Sequence, residues 1–402
     1  MTELKGFFND YLAKEPLFRD RKSLQTNYTP SKILHRDEQI NHVAGILAPC
    51  LRMEKPSNLF LYGQTGTGKT LVVRYVMNNI SEISREKKLP IEVVYLNCKL
   101  KRVADTEYRL IVQLAEEFGK KIPATGLPTD EVYKIFLNHI DQKKKLIILV
   151  LDEIDQLVKK AGDEILYNMT RLNTELKNVE FSIIGISNEV TFLDHIDPRV
   201  KSSLSEEELI FPPYDALQIQ DILRNRSLEA FRGGVISAGV LEKCAAYAAR
   251  EHGDARRALD LLRVAGELAE RIGRYTIELE DIDAAEDKIE KDKVLDIVGT
   301  QPKQFQLCLH SILDVCDMVK NNCNLYTGDI YERYKELCIQ IKMKSLTQRR
   351  ISDVIAELDM LGIINAKVIS KGRYGRTREI SLAVPQAMVP KIKEILREGL
   401  GL

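Results

Sequence analysis

The chain has 402 residues and 44% hydrophobic content, enough for two or three domains with real cores. Its 59 basic and 59 acidic residues cancel, which excludes a polycation that binds nucleic acid by bulk charge and leaves any such role to a local patch. No apolar run approaches the ~20 residues of a membrane span, no apolar segment follows the first five residues as a leader would require, and the seven scattered cysteines include no C-x-x-C pair. A cytoplasmic protein with neither structural zinc nor disulfides is expected.

In chain order, residues 1–30 form an arm with Phe7 and Phe8. Ile40, Val43, Ala44 and Leu47 then recur at helical spacing, predicting a helix within 31–53. Four strand-like runs follow, at 59–62, 91–96, 146–151 and 181–186. Helical patterns separate them, and this alternation predicts a parallel α/β sheet. Directly after the first strand comes Gly63-Gln64-Thr65-Gly66-Thr67-Gly68-Lys69-Thr70, then Leu71 at the start of a helix. It fits G-x-x-x-x-G-K-[ST], the loop that cradles phosphates. Its glycines let backbone N–H groups converge on phosphate oxygens, with the helix N-terminus behind them. Lys69 suits the β- and γ-phosphates, and Thr70 suits Mg²⁺.

A metal also needs a carboxylate. The apolar run 146–151 ends in Asp152-Glu153, and an acid at the end of a buried parallel strand lies where α/β folds bind ligands. Asp152 is expected to hold the metal and Glu153 to act as general base. Asn188 follows the next strand, where an amide can orient the attacking water. Phe211-Pro212-Pro213-Tyr214 halts both helix and strand. From Asp215 to about Lys293 the pattern is helical, at 215–232, 237–251, 254–272 and 280–289. Asp254 is placed as an N-cap and Arg256 in the first turn of its helix.

From about residue 295 a third unit begins. Helices are expected at 303–320, 327–340 and 347–361, then two strands at 363–369 and 377–382 around a tip at Lys371, Arg373, Tyr374 and Arg376. Helices followed by a hairpin outline a winged helix-turn-helix. Gln348, Arg349 and Arg350 open its last helix, where recognition helices meet the major groove. Residues 341–380 carry nine basic residues against four acids, in a neutral chain.

Residues 30 to 290 resemble the AAA+ ATPases. The resemblance rests on the phosphate loop, Asp152-Glu153, Asn188 as first sensor and Gly253-Asp254-Ala255-Arg256 as second sensor in a helical lid. It implies ATP/ADP and Mg²⁺ as cofactors. It places Tyr28, Pro30 and Arg36 on adenine and ribose, with Tyr214 opposite. An insertion at 99–109, the Phe211–Asp215 lid entrance and the winged unit narrow the likeness to archaeal origin-recognition/cell-division-control replication initiators, across essentially the full chain. That family implies an ATPase that binds duplex origin DNA and helps recruit the replicative helicase. It implies chromosome association and a paralogous initiator as a further partner. Lys101 and Arg102 are a second expected DNA contact. Where eukaryotic relatives carry an arginine finger, this chain has Ser203, which leaves Arg199 for that role and points to a slow, regulatory ATPase that acts without a shared inter-subunit site.

The expected layout is an arm (1–30), an AAA+ α/β domain (31–213), an all-helical lid (214–293) and a winged-helix domain (294–402). Two other readings remain open at this stage. One is an AAA+ helicase or clamp loader acting on proteins. The other is a nucleotide-gated transcription regulator.

Overall fold

Three nearly continuous apolar runs, Asn58–Tyr62, Lys145–Asp152 and Val179–Ser187, form the buried centre of an all-parallel five-stranded sheet, and two strands of more polar sequence flank them at its edges. The structure is a computed structural model and describes residues 15–26, 28–99, 106–192, 196–204, 206–318, 325–370 and 376–402. The chain divides into two compact units, Met1–Ile282 and Asp283–Leu402.

In the first unit, α1 (Asp37–Leu47) precedes β1 (Asn58–Tyr62) and α2 (Lys69–Lys87). There follow β2 (Ile91–Asn97), α3 (Glu107–Glu117), α4 (Thr129–Ile140), β3 (Lys145–Asp152), α5 (Ile154–Ala161), α6 (Glu164–Glu175), β4 (Val179–Ser187), α7 (Pro198–Leu204) and β5 (Glu206–Ile210). The strand order is β2-β3-β4-β1-β5. β4 thus lies between the strand that feeds the glycine loop and the strand that ends in Asp152. Its last residue, Ser187, pairs with Tyr62, and Asp152 pairs with Ile186, so all three strand ends finish at one edge. Each sheet face has its own core. Ile148 and Val150 of β3 pack with Val72, Val73 and Val76 of α2 on one side, while Ile147, Leu149 and Leu151 pack with α3 and α4 on the other.

The lid continues in the same unit with α8 (Ala216–Ala230), α9 (Val240–Arg250) and α10 (Ala255–Arg271). Asp215 caps α8 in a reciprocal capping box with Gln218, at 2.8 and 3.2 Å. Asp254 caps α10 as expected, accepting from the Arg256 and Arg257 N–H groups at 2.8 and 3.3 Å. The arm packs on this lid. Phe18 lies 4.7 Å from Phe231, and Arg21 pairs with Glu270.

The helix expected at 280–289 is longer: α11 (Leu279–Thr300) runs without a break through residue 293. The second unit then holds α12 (Lys303–Met318), β6 (Leu325–Tyr326), α13 (Thr327–Gln340), α14 (Gln348–Met360), β7 (Ile364–Ser370), β8 (Arg376–Leu382) and α15 (Val389–Leu400). β7 and β8 form the antiparallel wing, and β6 joins its edge as a third strand. Among the described residues no helix is long and apolar enough to cross a membrane.

Candidate nucleotide site and nucleic-acid interface

The glycine loop leaves β1 and turns into α2 through Gly68, which caps that helix at φ +92°. A Cβ there would stand 2.8 Å from the Tyr214 hydroxyl. At Gly66, φ is +76° and a Cβ would lie 1.7 Å from Oδ1 of Asp254. Only glycine admits both the left-handed backbone and the approach of the lid's cap. Thr67 is buried and donates from Oγ1 to the Gln64 carbonyl at 2.8 Å, closing the loop on itself. Gln64 and Thr65 are exposed at its crest. Lys69 folds beneath it, and its ammonium donates to the carbonyls of Gly63 and Gln64 at 2.7 and 2.8 Å. Burial pushes this ammonium down to about 8, the nearby Arg256 adds to the shift, and Asp152 and Asp155 oppose it.

Side-chain alternation points Asp152 to the α2 face of the sheet. Its Oδ2 accepts from Thr70 Oγ1 at 3.1 Å and from the Tyr95 hydroxyl, and its Oδ1 accepts from the Glu153 N–H at 3.1 Å. Burial first, and the Asp152 charge next, hold the Tyr95 phenol well above its ordinary value. Glu153 has a left-handed backbone, φ 57°. That conformation costs a non-glycine residue roughly 1–2 kcal/mol, and such strain concentrates at functional positions. It turns the carboxylate out of the strand line toward Asn97 Nδ2 at 3.5 Å and Lys99 Nζ at 3.6 Å. Asn188 is half-buried at the end of β4, between the two motifs. Its N–H makes a long contact of 3.5 Å to Oδ1 of Asp155, a buried acid that also accepts from Ser187 Oγ at 3.4 Å.

Beside the loop, a cleft of about 820 Å³ opens between the arm, α2 and the lid. Tyr28, Pro30, Gly66, Gly68, Thr70, Leu71, Tyr214 and Arg256 all line it, so the structure gathers most of the expected nucleotide contacts on one wall system. Tyr28 is fixed from the lid. Its hydroxyl donates to Glu229 at 2.7 Å, and Arg226 lies 4.6 Å from its ring centroid. Arg36 departs from expectation and does not line the cleft. It is buried and spends its guanidinium on backbone carbonyls, Thr67 at 2.9 Å, His35 at 2.9 Å and Pro212 at 2.6 Å. Arg199 is exposed on α7. Tyr95, Asn97 and Asp155 belong to this site but were not expected. Asp155 has a faint signal, as an acid two residues after Glu153 in the first turn of the helix that follows β3.

The residues fit a magnesium polyphosphate. A desolvated lysine sits under backbone too crowded for any side chain, and beside it a hydroxyl and a carboxylate converge from different elements.

In the second unit, Thr347 caps α14 by accepting from the Arg350 N–H at 3.4 Å. Gln348, Arg349 and Arg350 are exposed at its start. Arg350 faces Asp353 at 3.7 Å. Gln348 and Arg349 border a groove of about 920 Å³ against the wing, together with Thr327, Ser352 and Arg378. Arg378 was counted in the basic patch but not expected at the site. It reaches Ser352 Oγ from Nε at 3.4 Å. Lys101, Arg102, Lys371, Arg373 and Tyr374 lie outside the described residues, and so does the side chain of Arg376.

Three family models match the chain. An AAA domain covers residues 52–192, a Cdc6 AAA+ ATPase-type lid domain covers 220–287, and a CDC6 C-terminal winged helix domain covers 296–391. The chain is 50% identical to ORC1-type DNA replication protein 1 of Methanosarcina acetivorans, over 99% of its own length and 95% of the relative's. It is also 50% identical to the ORC1-type DNA replication protein of Pyrococcus furiosus, over 98% and 93%. The Aeropyrum pernix ORC1 protein, solved in complex with DNA, matches with a TM-score of 0.83 and 44% identity, over 96% of this chain and 98% of that one. The chain belongs to the ORC1-type DNA replication proteins, with an AAA+ fold, a Cdc6-type lid and a C-terminal winged helix.

Proposed function

We propose that this protein is an ATP-dependent DNA replication initiator that binds duplex origin DNA through its winged unit, with ATP binding and slow hydrolysis as the switch. The observation that carries the reading is the coexistence in one chain of two built sites. One is the convergence of Lys69, Thr70 and Asp152 below a glycine loop; the other is the exposed polar and basic start of α14 beside the wing. Near-full-length kinship with ORC1-type replication proteins supports it, as does the likeness to an ORC1 protein solved with DNA.

In this reading Thr70 and Asp152 hold magnesium, which neutralises phosphate charge when bound. Lys69 and the loop amides bind the β- and γ-phosphates. Asn188 and Arg256 face the γ-phosphate as sensors. Tyr28, Pro30 and Tyr214 enclose the nucleoside, while Arg36 holds the loop from behind. Glu153 accepts a proton from the attacking water. Asn97 and Lys99 contact its two oxygens at 3.5 and 3.6 Å and compete with that water for them, which is consistent with slow turnover. Arg199 is exposed and free to serve a neighbouring copy's nucleotide. Recruitment of the helicase, with a paralogous initiator as a further partner, rests on kinship alone.

Chromosome-wide footprinting with and without ATP tests the reading. Protection at replication origins supports it. Protection confined to promoters favours a transcription regulator, and no protection at all overturns DNA binding as the main role.

A further inference from the structure

Tyr95 belongs to none of the sequence motifs, yet it touches the carboxylate on which they converge. Alternation along β2 sends Ile91, Val93 and Tyr95 to the sheet face covered by α2. Asp152 points to the same face. In the β2–β3 register Asn97 pairs with Asp152, so Tyr95 starts two residues back and its long side chain spans the gap. Its hydroxyl donates to Oδ2, the oxygen that also accepts from Thr70. Oδ1 is held by the Glu153 N–H. Three donors therefore set the plane of this carboxylate. Two come from the phosphate loop and the strand end, and Tyr95 is the third.

The ring is itself held in place. Arg74 lies one helical turn beyond Thr70, and its guanidinium carbon is 4.6 Å from the Tyr95 ring centroid. Arg74 also lines the nucleotide cleft. One helix thus carries both a metal-site hydroxyl and the cation that covers the tyrosine.

We propose that Tyr95 is a positioning residue that orients the Asp152 carboxylate for magnesium, with Arg74 holding its ring over that bond. The proposal rests on the reading of Thr70 and Asp152 as the metal site. With the phenol present, Asp152 cannot rotate without breaking a hydrogen bond, so it meets the metal already oriented. Partners one layer behind a metal ligand typically change metal affinity by 10–100-fold when removed.

The test is a magnesium titration of the full chain with a fluorescent, non-hydrolysable ATP analogue, comparing wild type with Tyr95→Phe. Phenylalanine keeps the ring under Arg74 and deletes the hydroxyl, with its bond to Asp152 and its interaction with the Arg74 guanidinium. We expect equal nucleotide affinity in excess chelator. We also expect a magnesium midpoint about tenfold higher in Tyr95→Phe. An unchanged or lower midpoint overturns the proposal. An equal loss of nucleotide affinity with and without magnesium also overturns it, because that is the mark of a structural residue. Wild-type binding that ignores magnesium, or no nucleotide binding at all, removes the underlying metal-site reading and this proposal with it. That outcome is visible before the variant is compared.

Discussion

The guanidinium of Arg36 lies 3.7 Å from the ring centroid of Tyr214 while it donates to Thr67 in the phosphate loop and to Pro212 at the lid entrance. One buried side chain thus joins the loop, the hinge and an aromatic wall of the cleft. Burial lowers its pKa, although the group still functions as a cation. Arg36→Ala would leave three carbonyls, that of Thr67 buried, and an aromatic face without their partner. Hydrogen bonds to charged groups contribute about 1.5–3 kcal/mol each. We expect a marked drop in Tm together with weaker nucleotide binding, and Arg36→Lys should rescue little, because lysine lacks the planar fork. A variant with wild-type melting would show that the lid and loop are held by other contacts.

Gly66 and Asp254 make a second junction between loop and lid. In Gly66→Ala the new methyl meets the Asp254 carboxylate, and the left-handed backbone adds about 1–2 kcal/mol of strain. Asp254→Ala alone removes a cap, at about 1 kcal/mol. Combined, the two changes should cost less than their sum, since the second removes the group that the first strikes. Denaturant melts of all four proteins measure the cycle. Strict additivity would mean the loop simply moves away from the lid.

Much of this architecture was legible because its chemistry is local. The glycine loop spells out its backbone geometry, and Asp152 stands out because it ends an apolar run. Tyr95, Asn97 and Asp155 were not legible, since they reach the site through strand register and helix phase, which a linear motif does not encode. β5 escaped notice because its acidic spelling, Glu206 to Glu208, hides an edge strand paired with β1. The terminal helix α15 did carry a signal, with Ile392, Leu396 and Leu400 buried four residues apart. The family resemblance places Arg36 on the nucleotide, and nothing in the linear sequence says otherwise. Only the fold shows the loop and hinge carbonyls that claim its guanidinium.

Lys69 predicts two opposite responses to pH. Its folded pKa, about 8, lies below its ordinary value of 10.5, so between those limits the unfolded chain binds more protons. Stability of the free protein should therefore rise as pH climbs from about 8 to 10.5, because the cost of a buried charge is being relieved. Affinity for ATP should fall over the same range as the ammonium is lost. Lys69→Met should remove both trends and nearly all binding. Melting curves and calorimetry across this window check it, and parallel trends in the two measurements would contradict the assignment.

Glu153→Gln should keep ATP affinity within about threefold, since the general base contributes to chemistry rather than to ground-state binding. Hydrolysis in a single turnover should fall by 10²–10⁴-fold, the usual worth of a positioned base. Asn97→Ala is the informative companion. If the Asn97 amide restrains Glu153, its removal should leave affinity alone and raise the hydrolysis rate. A slower Asn97→Ala enzyme would mean that the amide helps the glutamate instead of holding it back.

The start of α14 and the wing should report different things about DNA. Gln348 and Arg349 are exposed beside the groove, whereas Arg350 is drawn to Asp353, an exposed pair worth little in itself. Arg349 is thus the better placed of the two arginines to read a base edge. Arg349→Ala should cost about 1–3 kcal/mol on the specific duplex and little on a scrambled one, with a smaller loss for Arg350→Ala. Arg373, which lies outside the described residues, is expected from the sequence to meet phosphate or a narrow groove. Arg373→Ala should weaken binding to both duplexes alike and flatten the slope of log K against log salt by about one unit. Salt titrations of the full chain on both duplexes separate these outcomes. If Arg349→Ala and Arg373→Ala lose the same affinity on both duplexes, α14 contacts only the backbone, and sequence must be read through DNA shape or another part of the chain. If neither loses any, the winged unit does not engage DNA through this face.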